Sequence, residues 1–312
     1  MLKKRIGSQA KERIGAFQMV INKHLTFYIR NGWPTKIMDA VAAESHIFSP
    51  NYELNAVDAI GVGRVMVRAM RYWGSVLGIL EESKDAAGIT HTLTPLGRQF
   101  YERDPYFQRK GSLWLLHRNL ARNKEAATAW YWAYNEFSGK EFTKEEFVEI
   151  FQAYLMHEQF VCKKAALGKE FDCFKNTYVS DSGFDLKKIV EEDTIPFFAP
   201  LGLLSYKGNG RFQKNSQKAK EISKEIFYYA VLKDNEELLI ENRQIGIERL
   251  LEEAGQVGRY MNLSYVELLE LLQQLENRKY IRLFHNFGSR YIEVYHTDCD
   301  RILNRYYTRA GE

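Results

Sequence analysis

The run Gly61-Val62-Gly63-Arg64-Val65-Met66-Val67-Arg68-Ala69-Met70-Arg71-Tyr72-Trp73 constrains the fold of this chain more than any other segment. It reads as a tight glycine turn opening into a helix with two unlike faces. Val62, Met66, Ala69 and Trp73 follow one helical stripe, and Arg64, Arg68 and Arg71 follow another. Successive helical residues turn by about 100°, which puts Arg64 roughly 200° from Val62. Between Gly61 and Trp73 stand three arginines and no carboxylate, the charge pattern of a helix facing a polyanion. Residues 54–60 supply a preceding helix. Gly78-Ile79-Leu80, a polar loop and Thr92-Leu93-Thr94-Pro95-Leu96-Gly97 follow. Helix, turn, recognition helix and β wing is the plan that sets a helix in a DNA major groove. A solvated basic face is the plainer alternative.

With 312 residues, two or three small units are expected. A hydrophobic share of 45% beside 27% charged residues excludes a disordered chain. The 19 Tyr, 19 Phe and 5 Trp are read mainly as core, since large rings dominate buried area. A net charge of +4 is too small to announce a nucleic-acid binder, so its distribution carries the argument. Cys162, Cys173 and Cys299 lack the spacing of a zinc knuckle or a disulfide framework, and a cytoplasmic location follows as the expectation. No run approaches the roughly 18 apolar residues of a membrane span.

The expected organisation has three parts. Residues 1–105 form a basic segment and a winged-helix DNA-binding unit, residues 106–215 a helical aromatic centre, and residues 216–312 a C-terminal winged-helix-like unit. The first carries Lys3, Lys4, Arg5, Lys11, Arg13, Lys23, Arg30 and Lys36 among Phe17, Phe27, Tyr28 and Trp33, with Pro34 expected to end or bend any helix reaching it. Thr94 with Pro95 reads as a helix start, and Thr143 with Glu146 as a capping box. Residues 163–185 read as a helix and an irregular loop, and Lys207-Gly208-Asn209-Gly210 as a hairpin turn. Residues 216–220 read as a charged linker. Ser264 with Glu267 reads as a second capping box, followed by a hairpin around Asn286-Phe287-Gly288-Ser289. Glu267, Glu270, Gln273 and Gln274 would repel phosphates, so this acidic C-terminal end is expected to dock protein.

The order of motifs resembles the SspB-like family of proteins that accompanies DNA phosphorothioation genes. The likeness rests on His24, Phe27, Arg30, Gly32-Trp33 and Lys36, on the glycine turn and helix from Gly61 to Trp73, and on Leu93-Thr94-Pro95-Leu96-Gly97. It continues through Asp104-Pro105-Tyr106, Leu113-Trp114-Leu115-Leu116-His117, Ala129-Trp130-Tyr131-Trp132, Asn135-Glu136-Phe137, Thr177-Tyr178 and Pro200-Leu201-Gly202-Leu203-Leu204. Pro34 replaces a leucine common in the family, and Arg118 a tryptophan. The resemblance implies DNA nicking within an anti-phage modification system, alongside a sulfur-transfer enzyme and an ATPase as protein partners. It assigns no catalytic residue.

The residues themselves offer weak candidates for phosphodiester chemistry. A metal-dependent route needs converging carboxylates on Mg or Mn, for which Glu170, Asp172 and Glu82 stand out. Glu170 and Asp172 are read there as members of an irregular surface segment. A metal-free route needs a general base beside arginines, for which His24 and His117 serve, although a histidine on an aromatic helix is more often a core residue. No nucleotide-binding motif is present, so ATP is not expected as a ligand. The sequence thus points to double-stranded DNA met by Arg30, Lys36, Arg64, Arg68 and Arg71. The alternatives are a non-catalytic adaptor and a transcriptional regulator.

Overall fold

The computed structural model describes residues 19–86, 88–179, 195–286 and 289–308. The chain opens with α1 (Trp33–Ala43), α2 (Glu53–Ile60) and α3 (Arg64–Val76), then the hairpin of β1 (Leu80–Asp85) and β2 (Gly88–Leu93). Next come α4 (Pro95–Arg103), α5 (Lys110–Arg122), α6 (Thr128–Asn135), β3 (Glu141–Thr143), α7 (Lys144–His157), α8 (Lys164–Tyr178), β4 (Leu204–Gly208) and β5 (Arg211–Lys214). The last part holds α9 (Lys224–Asp234), α10 (Glu236–Glu241), β6 (Gln244–Gly246), α11 (Ile247–Glu252), α12 (Val257–Tyr260) and α13 (Tyr265–Asn277). It closes with β7 (Ile281–Asn286), β8 (Ser289–Val294) and α14 (Cys299–Thr308). The expected N-terminal cations Lys3, Lys4, Arg5, Lys11 and Arg13, together with Phe17, lie outside the described residues. So do the loop after Val179 and the turn at Phe287-Gly288.

The protein is mainly helical, with small antiparallel sheets and an aromatic core. One order recurs. The strand β3, two helices and the hairpin β4–β5 make a sheet ordered β3-β5-β4, and β6, three helices and β7–β8 make one ordered β6-β8-β7. At the N-terminus three helices precede a two-stranded hairpin, β1–β2.

Local chemistry explains where the helices start. Thr94 accepts a hydrogen bond from the Gly97 amide at 2.9 Å, with Pro95 in the first turn of α4. Thr143 and Glu146 form a reciprocal capping box on α7. Ser264 makes only half of one: it accepts from the Glu267 amide, while the Glu267 carboxylate turns away to the Ala219 amide at 2.6 Å and Lys218 at 2.9 Å. Residues 216–220 are therefore tied to α13 and are no free linker, and Glu267 is buried instead of facing a ligand. Pro34 bends no arriving helix; it sits in the first turn of α1.

The core is aromatic, as its composition suggests: Trp73, Trp114, Trp130 and Trp132 are all fully buried. The buried face of α3 comprises Val67, Ala69, Met70, Trp73, Gly74 and Val76, with Val62 and Met66 only partly covered and Val65 exposed. Ala69 and Trp73 of the expected stripe are buried, and the buried face is wider than that stripe and turned from it by roughly 40°. Helices α5 and α9 are buried on most sides. Helix α14 closes on α5: the Tyr306 hydroxyl accepts from the Gly111 amide at 2.9 Å, and the Tyr307 hydroxyl bonds Ser112 Oγ at 2.7 Å. A Cβ on Gly111 would lie 2.4 Å from the Tyr306 ring, so the close approach requires glycine.

Candidate nucleic-acid interface

Two glycine turns face one another across a groove of about 550 Å³, lined by Asn31, Gly32, Trp33 and Lys36 on one side and Gly61, Val62, Gly63 and Met66 on the other. Gly61 ends α2 and Gly32 begins α1, both with left-handed backbones (φ 72° and 79°) that favour glycine. Gly63 precedes α3 with an ordinary φ of −66°, and no side chain caps the first-turn amides of α1 or α3. Both helices thus bring the positive ends of their dipoles near one groove, and α3 presents first-turn N–H groups there, whereas in α1 the Trp33 amide bonds the Arg30 carbonyl at 3.2 Å and Pro34 has no N–H.

The cations of this region divide into two groups. Lys36 and Arg64 are exposed and make no ion pair among the described residues. Arg30 lies over the Tyr28 and Trp33 rings at 6.0 and 5.8 Å, with its Nε buried and without a hydrogen-bond partner. Arg68 and Arg71 are engaged. Arg68 grips Glu53 with two bonds of 2.5 and 3.1 Å, and its hydrogen bonds hold the Glu53 carboxyl below the usual carboxylate range. Arg71 donates to Glu82 at 2.5 Å, and His91, buried in β2, places Nε2 at 3.3 Å from the same oxygen. The carboxylates absent from the arginine run itself arrive from α2 and β1. Sequence reading missed Glu53 in this role because it lies 15 residues from Arg68.

Of the candidates for catalysis, His24 and Glu170 meet, while His117, Asp172 and Glu82 lie apart from them. His24 is fully buried; its Nε2 lies 3.0 Å from Glu170 Oε2 and its Nδ1 accepts from the Thr26 amide at 3.1 Å. The Thr26 amide can only donate, so the ring proton belongs on Nε2. Glu170 also accepts from the Asn22 amide at 2.7 Å and is 1% exposed, in helix α8 and not in an irregular surface segment. Asp172, two residues on, points about 200° away around α8 and pairs with Lys144 at 2.7 Å. His117 is buried between the Tyr178 hydroxyl (2.9 Å) and the Tyr260 carbonyl (2.8 Å), and burial pulls its pKa down to about 4. Among the described residues no three His, Cys, Asp or Glu side chains converge as metal ligands. The His24–Glu170 pair does not fit a resident Mg or Mn ion: both His24 ring nitrogens and Glu170 Oε2 are already engaged, and a single buried carboxylate falls short of the oxygen ligands such ions take.

A larger cavity of about 680 Å³ lies beside Ser75, Arg118, Asn119, Arg122 and Lys124. Its cations are engaged from within: Arg118 and Arg122 share Asp234 at 2.7 and 2.9 Å, and Lys124 reaches Glu158 at 2.9 Å. The smaller groove, whose lining Lys36 makes no ion pair among the described residues, is therefore the better anion site.

The family described as "Protein of unknown function (DUF4007)" matches residues 21–307. The chain belongs to that family. No curated protein matches it. The DUF4007 chain shares its fold with SspB. One SspB crystal structure, described as magnesium ion-bound, superposes with a TM-score of 0.78 at 23% identity, covering 93% of this chain and 90% of SspB. A second SspB crystal structure gives 0.78 and 23%, covering 95% and 92%. In this DUF4007 member no helix among the described residues is long and apolar enough to cross a membrane.

Proposed function

We propose that this protein is the duplex-DNA-binding component of a DNA phosphorothioation and anti-phage defence system, with nicking of the phosphodiester backbone as its activity. The observation that carries the reading is the groove between the N-termini of α1 and α3, which Lys36 lines, with Arg64 next in sequence to its Gly63; neither cation makes an ion pair among the described residues. Phosphate is the ligand such a groove suits: backbone amides and point charges meet it without reading sequence. Helices α2 and α3 then act as a helix-turn-helix and β1–β2 as its wing. The recurring strand, helices and hairpin order supports the winged-helix reading of the chain's other parts. The shared fold with SspB supports the phosphorothioation context.

The adaptor reading, in which the protein binds DNA and recruits the sulfur-transfer enzyme or its ATPase, has one observation in its favour. His24, His117 and Glu170, which have the chemistry of general bases, are each enclosed in the core. Supercoiled plasmid incubated with the purified protein and Mg, Mn or EDTA separates the two. Conversion to open circle makes the protein a nickase, whereas duplex binding without conversion under all three conditions makes it an adaptor. Failure to bind duplex at low salt defeats both.

A further inference from the structure

The register of the C-terminal sheet sets Gly246 opposite Tyr291, and Tyr291 opposite Phe284. These residues form one row across the sheet, on the face away from the buried Ile245, Ile281 and Ile292. The Phe284 and Tyr291 rings stack at 5.1 Å with 11° between their planes, and the Arg282 guanidinium covers Phe284 at 5.1 Å. Arg282 makes no ion pair among the described residues, although Glu293 stands opposite it in register.

The row runs ring, ring, and then stops, with the Arg282 cation two residues before Phe284 on the same face of β7. A Cβ on Gly246 would meet nothing nearer than Arg249 Cβ at 4.0 Å. The backbone there, φ −64° and ψ 141°, suits any residue. A cross-strand aromatic pair needs no ligand, but an open slot at the end of a cation-topped stack is a place that a flat ring completes. Arg290, next to Tyr291 in β8, turns to the opposite face and lies over Tyr265 of α13 at 5.6 Å, so Arg282 is the cation on this face.

We propose that the solvent face of β6–β8–β7 binds single-stranded nucleic acid, with an unpaired base stacked on Tyr291 above Gly246 and a flanking phosphate drawn by Arg282. The site shares no residue with the duplex groove, so either reading can fail alone.

The test uses the full chain carrying Lys36→Ala and Arg64→Ala, which removes the groove's contribution. Fluorescence anisotropy is read with an oligothymidylate, the matching oligouridylate and a duplex of equal length. Gly246→Leu fills the slot, and Tyr291→Leu removes the platform. Each is expected to weaken single-strand binding by about tenfold or more, while thermal unfolding shows that the fold is kept. Arg282→Gln is expected to weaken it and to flatten its salt dependence. Equal affinity for the two single strands, or preference for one, fits the proposal and names the source of the base. No single-strand binding by the parent protein, binding of duplex alone, or affinity unchanged by both Gly246→Leu and Tyr291→Leu overturns it.

Discussion

Nε2 of His24 stands 3.0 Å from Oε2 of Glu170, an interaction made across 146 residues of sequence and enclosed by the rings of Tyr72, Trp73 and Trp130. It fastens the segment that leads into α1 to helix α8, so its consequence is structural. Glu170→Ala leaves the His24 proton and the Asn22 amide without an acceptor and is expected to cost about 1–3 kcal/mol in urea unfolding. Glu170→Gln keeps an acceptor oxygen and should cost less. Plasmid nicking per folded molecule should survive both changes; its loss in a fully folded Glu170→Gln protein would make the pair catalytic.

His117 gives the protein a dependence on acid. Its pKa falls from an ordinary 6.5 to about 4 because burial disfavours the charged ring. The unfolded chain therefore takes up a proton between those values while the folded one does not, and stability falls as pH drops from 6.5 toward 4. The effect is about 3 kcal/mol across the window. Urea midpoints measured across the range from neutral pH down to the folded-state value should show this slope, and His117→Gln should lose it.

The groove separates arginines that look alike in sequence. Lys36→Ala with Arg64→Ala should flatten the plot of log affinity for duplex DNA against log salt, by about 0.9 for each phosphate that is no longer neutralised. Arg68→Ala should have less effect, because its guanidinium is held by Glu53. Glu53→Gln frees Arg68 and should tighten binding. Anisotropy over a salt series reads all three, and equal weakening by Arg64→Ala and Arg68→Ala would discount the distinction.

At Gly111 the expected result is steric. An added methyl would sit 2.4 Å from the Tyr306 ring and 2.7 Å from Ile226 Cγ1. Gly111→Ala should destabilise the protein by about 1–3 kcal/mol. Hydrogen exchange should then rise in α14 before it rises in α3.

How much of this could be read in the sequence depended on range. Thr94 with Gly97 and Thr143 with Glu146 act over three residues, and their caps lie where the residue types placed them. The hairpin turn at Gly208-Asn209-Gly210 was equally local. Glu170 was hidden because nothing near it in sequence marks a partner at position 24. Arg68 and Arg71 looked free because Glu53 and Glu82 lie outside the helix that carries them. Strand β3, three residues long, gives no periodic signal at all. The groove was half legible: both glycine motifs stood out, and only the fold set one against the other.

The tyrosines of α14 also set a schedule for synthesis. The Gly111 amide, buried in α5, waits for a hydrogen-bond partner 195 residues further along the chain, and Ser112, which already donates to Asp104, gains Tyr307 at the same distance in sequence. A growing polypeptide on the ribosome can form α5, but it cannot seal that helix until Tyr307 has left the exit tunnel. Until then a polar seam and the apolar flank of α9 stay open to water, and the nascent protein depends for solubility on whatever covers them.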